Sequence, residues 1–174
     1  MNETTKKNLM FISSEDFYLL SYSIIIILDS LGCVKNRYFK DYRKLPFIIE
    51  IIKNRRYILT IENGTKTKLH INDKDFLFQS YANGLARRSE TLKILFSLEK
   101  KGYITLEQGK IDSFVNAKLL KENLPSNFLD KVIFNYEYEN CNRLKTSIKK
   151  MSMLNLETFL DKIYRDNGVK TWEI

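Results

Sequence analysis

The longest apolar and aromatic stretch of the chain runs from Phe17 to Leu28, broken only by the small hydroxyls of Ser21 and Ser23. Ser13-Ser14-Glu15-Asp16 precede it, and their hydroxyls and carboxylates suit the unpaired N–H groups of a helix start. The pattern predicts a helix from about Ser14 to Leu31, closed by Asp29 and Gly32. A helix apolar nearly all round needs cover on every side. Either this chain's own core or a partner chain supplies it, and both readings stay open. The run is shorter than the ~20 apolar residues a bilayer span needs.

The next segment, Val34 to Leu45, is a basic and aromatic connector leading to Pro46, which fits the first turn of a helix. Phe47, Ile48, Ile51 and Ile52 then stand at helical spacing, and the helix is expected to end near Arg56. Tyr57–Ile61 and Thr67–Ile71 are β-prone and flank Glu62-Asn63-Gly64-Thr65-Lys66, the pattern of a hairpin, although the first could instead prolong the helix. Asn72-Asp73 is a candidate cap for a helix through Phe76, Leu77, Phe78 and Tyr81, with a turn at Asn83-Gly84. A second helix is expected from about Ser89 to Lys101, with Gly102 placed for a left-handed stop. Tyr103–Glu107 and Ile111–Asn116 read as two short strands around Gln108-Gly109-Lys110. Helices followed by a small hairpin in this order match a winged helix-turn-helix.

Past Lys118 the pattern turns helical again, from about Pro125 to Asn140 and through Arg143 to Lys150. Asn155 is a candidate cap, and Leu156, Phe159, Leu160, Ile163 and Tyr164 form an amphipathic stripe with Glu157, Asp161 and Arg165 outside it. From Asn167 the sequence reads as a frayed end. The predicted fold class is mainly α with a small β wing: a winged helix-turn-helix core with N- and C-terminal helical additions. A single domain over 1–174 is expected, its core at about 44–117 and its C-terminal extension at about 118–166.

Composition narrows the chemistry. Six glycines and two prolines give little punctuation for many short strands. A single histidine, His70, and two cysteines, Cys33 and Cys141, far apart and in no CxxC spacing, give zinc and redox-motif readings nothing to rest on. The thiols are expected free, and the N-terminal sequence lacks the apolar core of a secretory signal, so a cytoplasmic location is expected. The net charge is +8. Most of the excess lies between Lys35 and Lys68, where ten basic residues face Asp41, Glu50 and Glu62. That is the pattern of an electrostatic footprint, and equally of a solvated basic face.

Phosphate-cradling glycine loops, nucleophile–base pairs and clustered carboxylates leave short-range signatures, and the sequence carries none. Asp41, surrounded by cations, is expected to set loop geometry, and His70 to be structural. No cofactor, no metal and no membrane contact are expected, and the chain is expected not to be an enzyme. Over Ser89–Lys101, Leu92, Ile94, Leu95, Phe96 and Leu98 span an arc of roughly 200° at ~100° per residue. That arc is wide for a helix with one covered face. Glu90 is an acid near the end that should approach phosphates, so specific base reading is disfavoured.

The runs ILDSLGCVKNRYFKDYRKLPFIIEII, LKILFSLEKKGYITL with IDSFVN, and RLKTSIKKMSMLNLETFLDKIY resemble the small middle component of bacterial ABC-three-component systems, which include Lamassu-type anti-phage defence operons. The resemblance implies a non-catalytic adaptor that links an SMC-like ATPase subunit to an effector, commonly a nuclease, and so couples DNA sensing to effector control. In that setting Leu156, Phe159, Leu160 and Ile163 are expected to dock on a partner. Arg37, Lys40, Arg43, Arg55 and Arg56 are expected to meet an acidic partner surface or the DNA backbone within the complex. The alternative is a stand-alone winged-helix DNA-binding regulator, dimeric through the Ile-rich helix.

Overall fold

The computed structural model describes residues 3–109 and 114–172, with side chains from Phe17 onward. Helix α1 spans Glu3–Ser30, so Ser13–Asp16 lie inside it and do not open it. Ser21 and Ser23 turn their hydroxyls back to the carbonyls of Phe17 and Leu19, at 2.8 Å each, which lets both be buried. Ile24, Ile25, Ile27 and Leu28 are covered by this chain's own elements: α1 packs against α2, α5, α6 and strand β2, defined below. Gly32, at φ 67°, closes the helix, and the Cys33 N–H reaches back to the Leu28 carbonyl at 2.8 Å.

The connector does not loop freely. Phe39 exchanges both backbone hydrogen bonds with Ala117 of β2, and Cys33 accepts from the Leu119 N–H. After a short 3-10 turn at Tyr42–Lys44, α2 (Leu45–Ile52) begins with Pro46 in its first turn and is buried along its whole length. Residues 55–64 form α3 (Arg55–Gly64) and not a hairpin strand. The β-branched residues there are overruled by a local cap, since the Asn54 side chain accepts from the Arg56 N–H at 3.0 Å, and by burial of Tyr57, Ile58 and Ile61.

Helix α4 (Ile71–Ala86) starts one residue before the expected cap pair Asn72-Asp73, with Asp73 inside its first turn, and His70 is exposed ahead of it. Asn83-Gly84 is no turn. Gly84 lies inside α4 because α2 crosses it closely: a Cβ there would meet the Phe47 ring at 2.5 Å. The break comes at Arg87, with φ −90° and ψ 0°, and α5 (Arg88–Lys100) follows at once. Gly102, at φ 74°, ends α5 as expected. Strands β1 (Ile104–Gln108) and β2 (Val115–Leu119) pair antiparallel, Ile104 opposite Leu119 and Gln108 opposite Val115. Ile111, Asp112 and Ser113 of the expected second strand lie outside the described residues.

The helix expected from Pro125 begins only at Asn135, as α6 (Asn135–Ser147). Asn127 adopts φ 71°, which a right-handed helix does not accommodate. Helix α7 (Leu156–Leu160) starts where the sequence indicates, its cap Asn155 accepting from the Thr158 N–H at 2.8 Å, and runs into a π-helical turn over Asp161–Arg165. Residues 167–172 are not frayed. Val169 is buried, and the Trp172 ring stacks 5.7 Å from Tyr81 while the Trp172 backbone N–H donates to the Tyr81 hydroxyl at 3.0 Å. One continuous core joins all these elements, with Phe47, Tyr81 and Tyr164 packed against one another in it. The protein is mainly helical with a small two-stranded antiparallel sheet.

Candidate functional site

The connector, the β-hairpin and the C-terminal segment enclose a cleft of about 880 Å³, lined among others by Lys40, Arg43, Phe114, Asn116, Leu156 and Trp172. Its geometry follows from Asp41, held at φ 61°. The Asp41 carboxylate takes both Nε and an NH2 group of Arg43, at 2.8 and 2.7 Å, and the Arg43 backbone N–H at 3.2 Å. The Asp41 N–H is fixed in turn by Asn116 Oδ1 at 2.9 Å. Arg43 is oriented so that its guanidinium lies 4.9 Å from the centre of the Phe114 ring. Across the cleft Arg165 is held by Asp161 at 2.8 Å and by Thr171 at 2.7 Å. The two guanidiniums are therefore compensated, and among the described residues Lys40 is the cation of the cleft wall that enters no ion pair.

Behind this wall sits Lys44, fully buried. Its ammonium donates to the carbonyls of Met151, Ser152 and Leu154 at 2.9, 3.3 and 2.6 Å and lies 4.6 Å over the Phe39 ring. Burial pushes its pKa down to about 7, against the opposing pull of Asp41. Nothing local in the sequence marks this residue, because its acceptors lie over a hundred positions away. Cys33 and Cys141 are free, buried thiols, each pushed up to about 11 chiefly by desolvation. Buried neutral thiols of this kind are poor nucleophiles. Among the described residues no group of His, Cys, Asp and Glu could hold a metal ion. No helix among them is long and apolar enough to cross a membrane.

The expected partner stripe is not on the surface. Leu156, Phe159, Leu160 and Ile163 are all buried in the chain's own core. An apolar stripe needs cover, and the fold supplies it internally, so these four cannot present a docking face while the chain is folded. The expected basic contacts divide between two places. Arg37, Lys40 and Arg43 lie on the connector, where Lys40 and Arg43 share the cleft. Arg55 and Arg56 open α3, Arg55 within 3.9 Å of Glu139 and Arg56 lying 4.2 Å over the Phe76 ring.

No family model, curated protein or solved structure matches the chain.

The surface offers features that periodicity missed. Tyr22 of α1 stacks between Phe128 and Phe134, at 4.6 and 5.0 Å, which brings the middle of α1 against the segment before α6. Tyr18 and Leu19, one turn before Tyr22 in α1, and Val132 and Ile133, just ahead of Phe134, are exposed, the last two at 86% and 71%. Asp130 sets the outward turn, its carboxylate accepting from the Val132 N–H at 2.7 Å. The sequence signal was present: two adjacent apolar residues behind an Asx turn, in a segment without helical spacing.

On α5, Ile94 and Leu98 are covered by the chain itself, as a one-sided surface helix requires, but Phe96 stays 52% exposed. The acid that counted against nucleic acid, Glu90, lies 3.8 Å from Arg87, a guanidinium that it shares with Glu50 at 2.9 Å.

Proposed function

We propose that the chain is a non-catalytic adaptor subunit of a bacterial anti-phage defence complex, linking an SMC-like ATPase to an effector nuclease. The reading rests on the sequence resemblance, on the succession of α4, α5 and a hairpin, an order that a winged helix would share, and on one surface observation. That observation is the exposed apolar group of Tyr18, Leu19, Val132 and Ile133, on the two segments that the Tyr22 stack joins. Contiguous exposed apolar side chains on ordered elements mark contact surfaces. Covering a Val or Ile side chain fully contributes about 1.5–3 kcal/mol, so this group is a sufficient anchor for a partner. The contact lies here, not on the buried C-terminal stripe.

Affinity purification of the tagged chain from its native cell, nuclease-treated and at near-physiological salt, tests the reading. Recovery of a large coiled-coil ATPase and a nuclease in fixed ratio, lost in Val132→Asp/Ile133→Asp, supports it. Recovery of the chain alone, as a homodimer that shifts one DNA sequence, makes it a stand-alone regulator and overturns the adaptor.

A further inference from the structure

Helix α5 presents two opposite sides. Thr91, Ile94, Leu95 and Leu98 are buried against the core, while Ser89, Lys93, Phe96 and Lys100 are exposed. At ~100° per residue these last four fall within an arc of about 60°. They form one narrow line along the helix, with an aromatic ring between two ammonium groups. Among the described residues neither carboxylate of α5 pairs with a lysine of that line. Glu99 accepts from the Leu106 N–H of β1 at 2.8 Å, and Glu90 lies 3.8 Å from Arg87, which Glu50 also holds at 2.9 Å. Among the described residues Lys93 and Lys100 enter no ion pair. Their charge faces solvent uncompensated.

The lysines are seven residues apart, so they stand ~10.5 Å apart along the axis, close to the ~12 Å width of a B-DNA major groove. The line belongs to the second of two helices joined through a single residue, Arg87, with the hairpin immediately after. Charge complementarity selects a polyanion. The spacing, with an apolar ring able to contact groove walls between two phosphate-binding ends, selects duplex DNA over an irregular acidic protein surface.

We propose that this face of α5 binds duplex DNA through its phosphate backbone, with Lys93 and Lys100 each neutralising a phosphate and Phe96 filling the groove between them. The proposal stands apart from the adaptor reading, since it concerns the chain by itself and is read without any partner.

Fluorescence anisotropy of the full chain with a labelled duplex, titrated across salt, is the test. Log affinity falls with log salt by ~0.9 per neutralised phosphate, so Lys93→Gln/Lys100→Gln should make the slope shallower by about 1.8. Phe96→Ala should weaken binding about threefold with the slope unchanged. Lys66→Gln/Lys68→Gln removes the same charge from the exposed segment before α4 and should change affinity less than twofold. Circular dichroism should be identical throughout, because every substituted side chain is exposed. Three results would overturn the proposal: no binding at low salt, an equal loss in both lysine pairs, or competition by polyglutamate as effective as by duplex. The last would make the face a site for an acidic protein.

Discussion

Two apolar regions of this chain have exchanged the roles that their patterns suggest. The C-terminal stripe, Leu156 to Ile163, has regular helical spacing and polar residues outside it, the form of a helix offered to a partner, yet it is buried in the chain's own core. Val132 and Ile133 belong to no periodic stripe, yet among the described residues they are the most exposed large aliphatic side chains. Periodicity says that a face will be covered. It does not say by which chain, because the covering surface is assembled from residues distant in sequence.

The sharpest way to break this comparison is Phe159→Asp/Ile163→Asp. Two carboxylates placed among fully buried neighbours have no partners, and the chain should lose its cooperative thermal transition and near-ultraviolet dichroism altogether. A folded variant that had only lost its partners would return the stripe to the surface. Lys44→Met comes next. It strands the Met151 and Leu154 carbonyls, while Ser152 keeps the Lys40 N–H, and should lower unfolding free energy in urea by about 2–4 kcal/mol.

Gly84→Ala should lower stability by about 1–3 kcal/mol, since the added methyl must displace the Phe47 ring. A thermal scan that leaves Tm unchanged would mean that α2 and α4 do not cross so closely. Smallest in stability is Val132→Asp/Ile133→Asp, expected within about 0.5 kcal/mol of the parent. The two double aspartate variants therefore separate a core stripe from a contact surface in one pair of melting curves.

Lys44 also sets a pH dependence that a purely surface-charged protein would lack. Its pKa lies near 7 in the fold, against 10.5 for the free side chain. Above about 7 the unfolded chain therefore holds a proton that the folded chain has released, and stability rises with pH. Cys33 and Cys141 act oppositely. Each is raised from 9.0 to about 11, so above 9 the unfolded thiols lose protons that the folded ones keep, and stability falls. Tm should climb from pH 7 to a maximum near pH 9 and then decline. Lys44→Met should remove the climb and leave the decline.

Much of the helical frame was legible from local signals: Gly32 and Gly102 as left-handed stops, Pro46 in the first turn of α2, Asn155 as the cap of α7, and the hairpin after α5. The errors share one cause. Tyr57-Ile-Leu-Thr-Ile61 has strand-like composition, but α3 is decided by the Asn54 cap and by packing against α4 and α6. Gly84 looked like a turn because close approach by Phe47 is invisible along the sequence. At the candidate sites, Lys40 and Arg43 were legible as cations of the connector. Their meeting with Phe114 and Trp172 in one cleft was not, since it depends on β2 and the tail arriving beside the connector.

The Lys44 ammonium has a further consequence for how the chain is made. Its last acceptor, the Leu154 carbonyl, is 110 positions downstream. At ~5–20 residues per second, a ribosome takes about 5–20 s to deliver it. During that interval the isoleucines of α1 also lack α6, one of the elements that cover them. The nascent chain thus carries a desolvated-to-be lysine and an uncovered apolar helix together until residue 154 has been made. Until then the uncovered apolar surface is exposed to aggregation in a way that the finished fold is not.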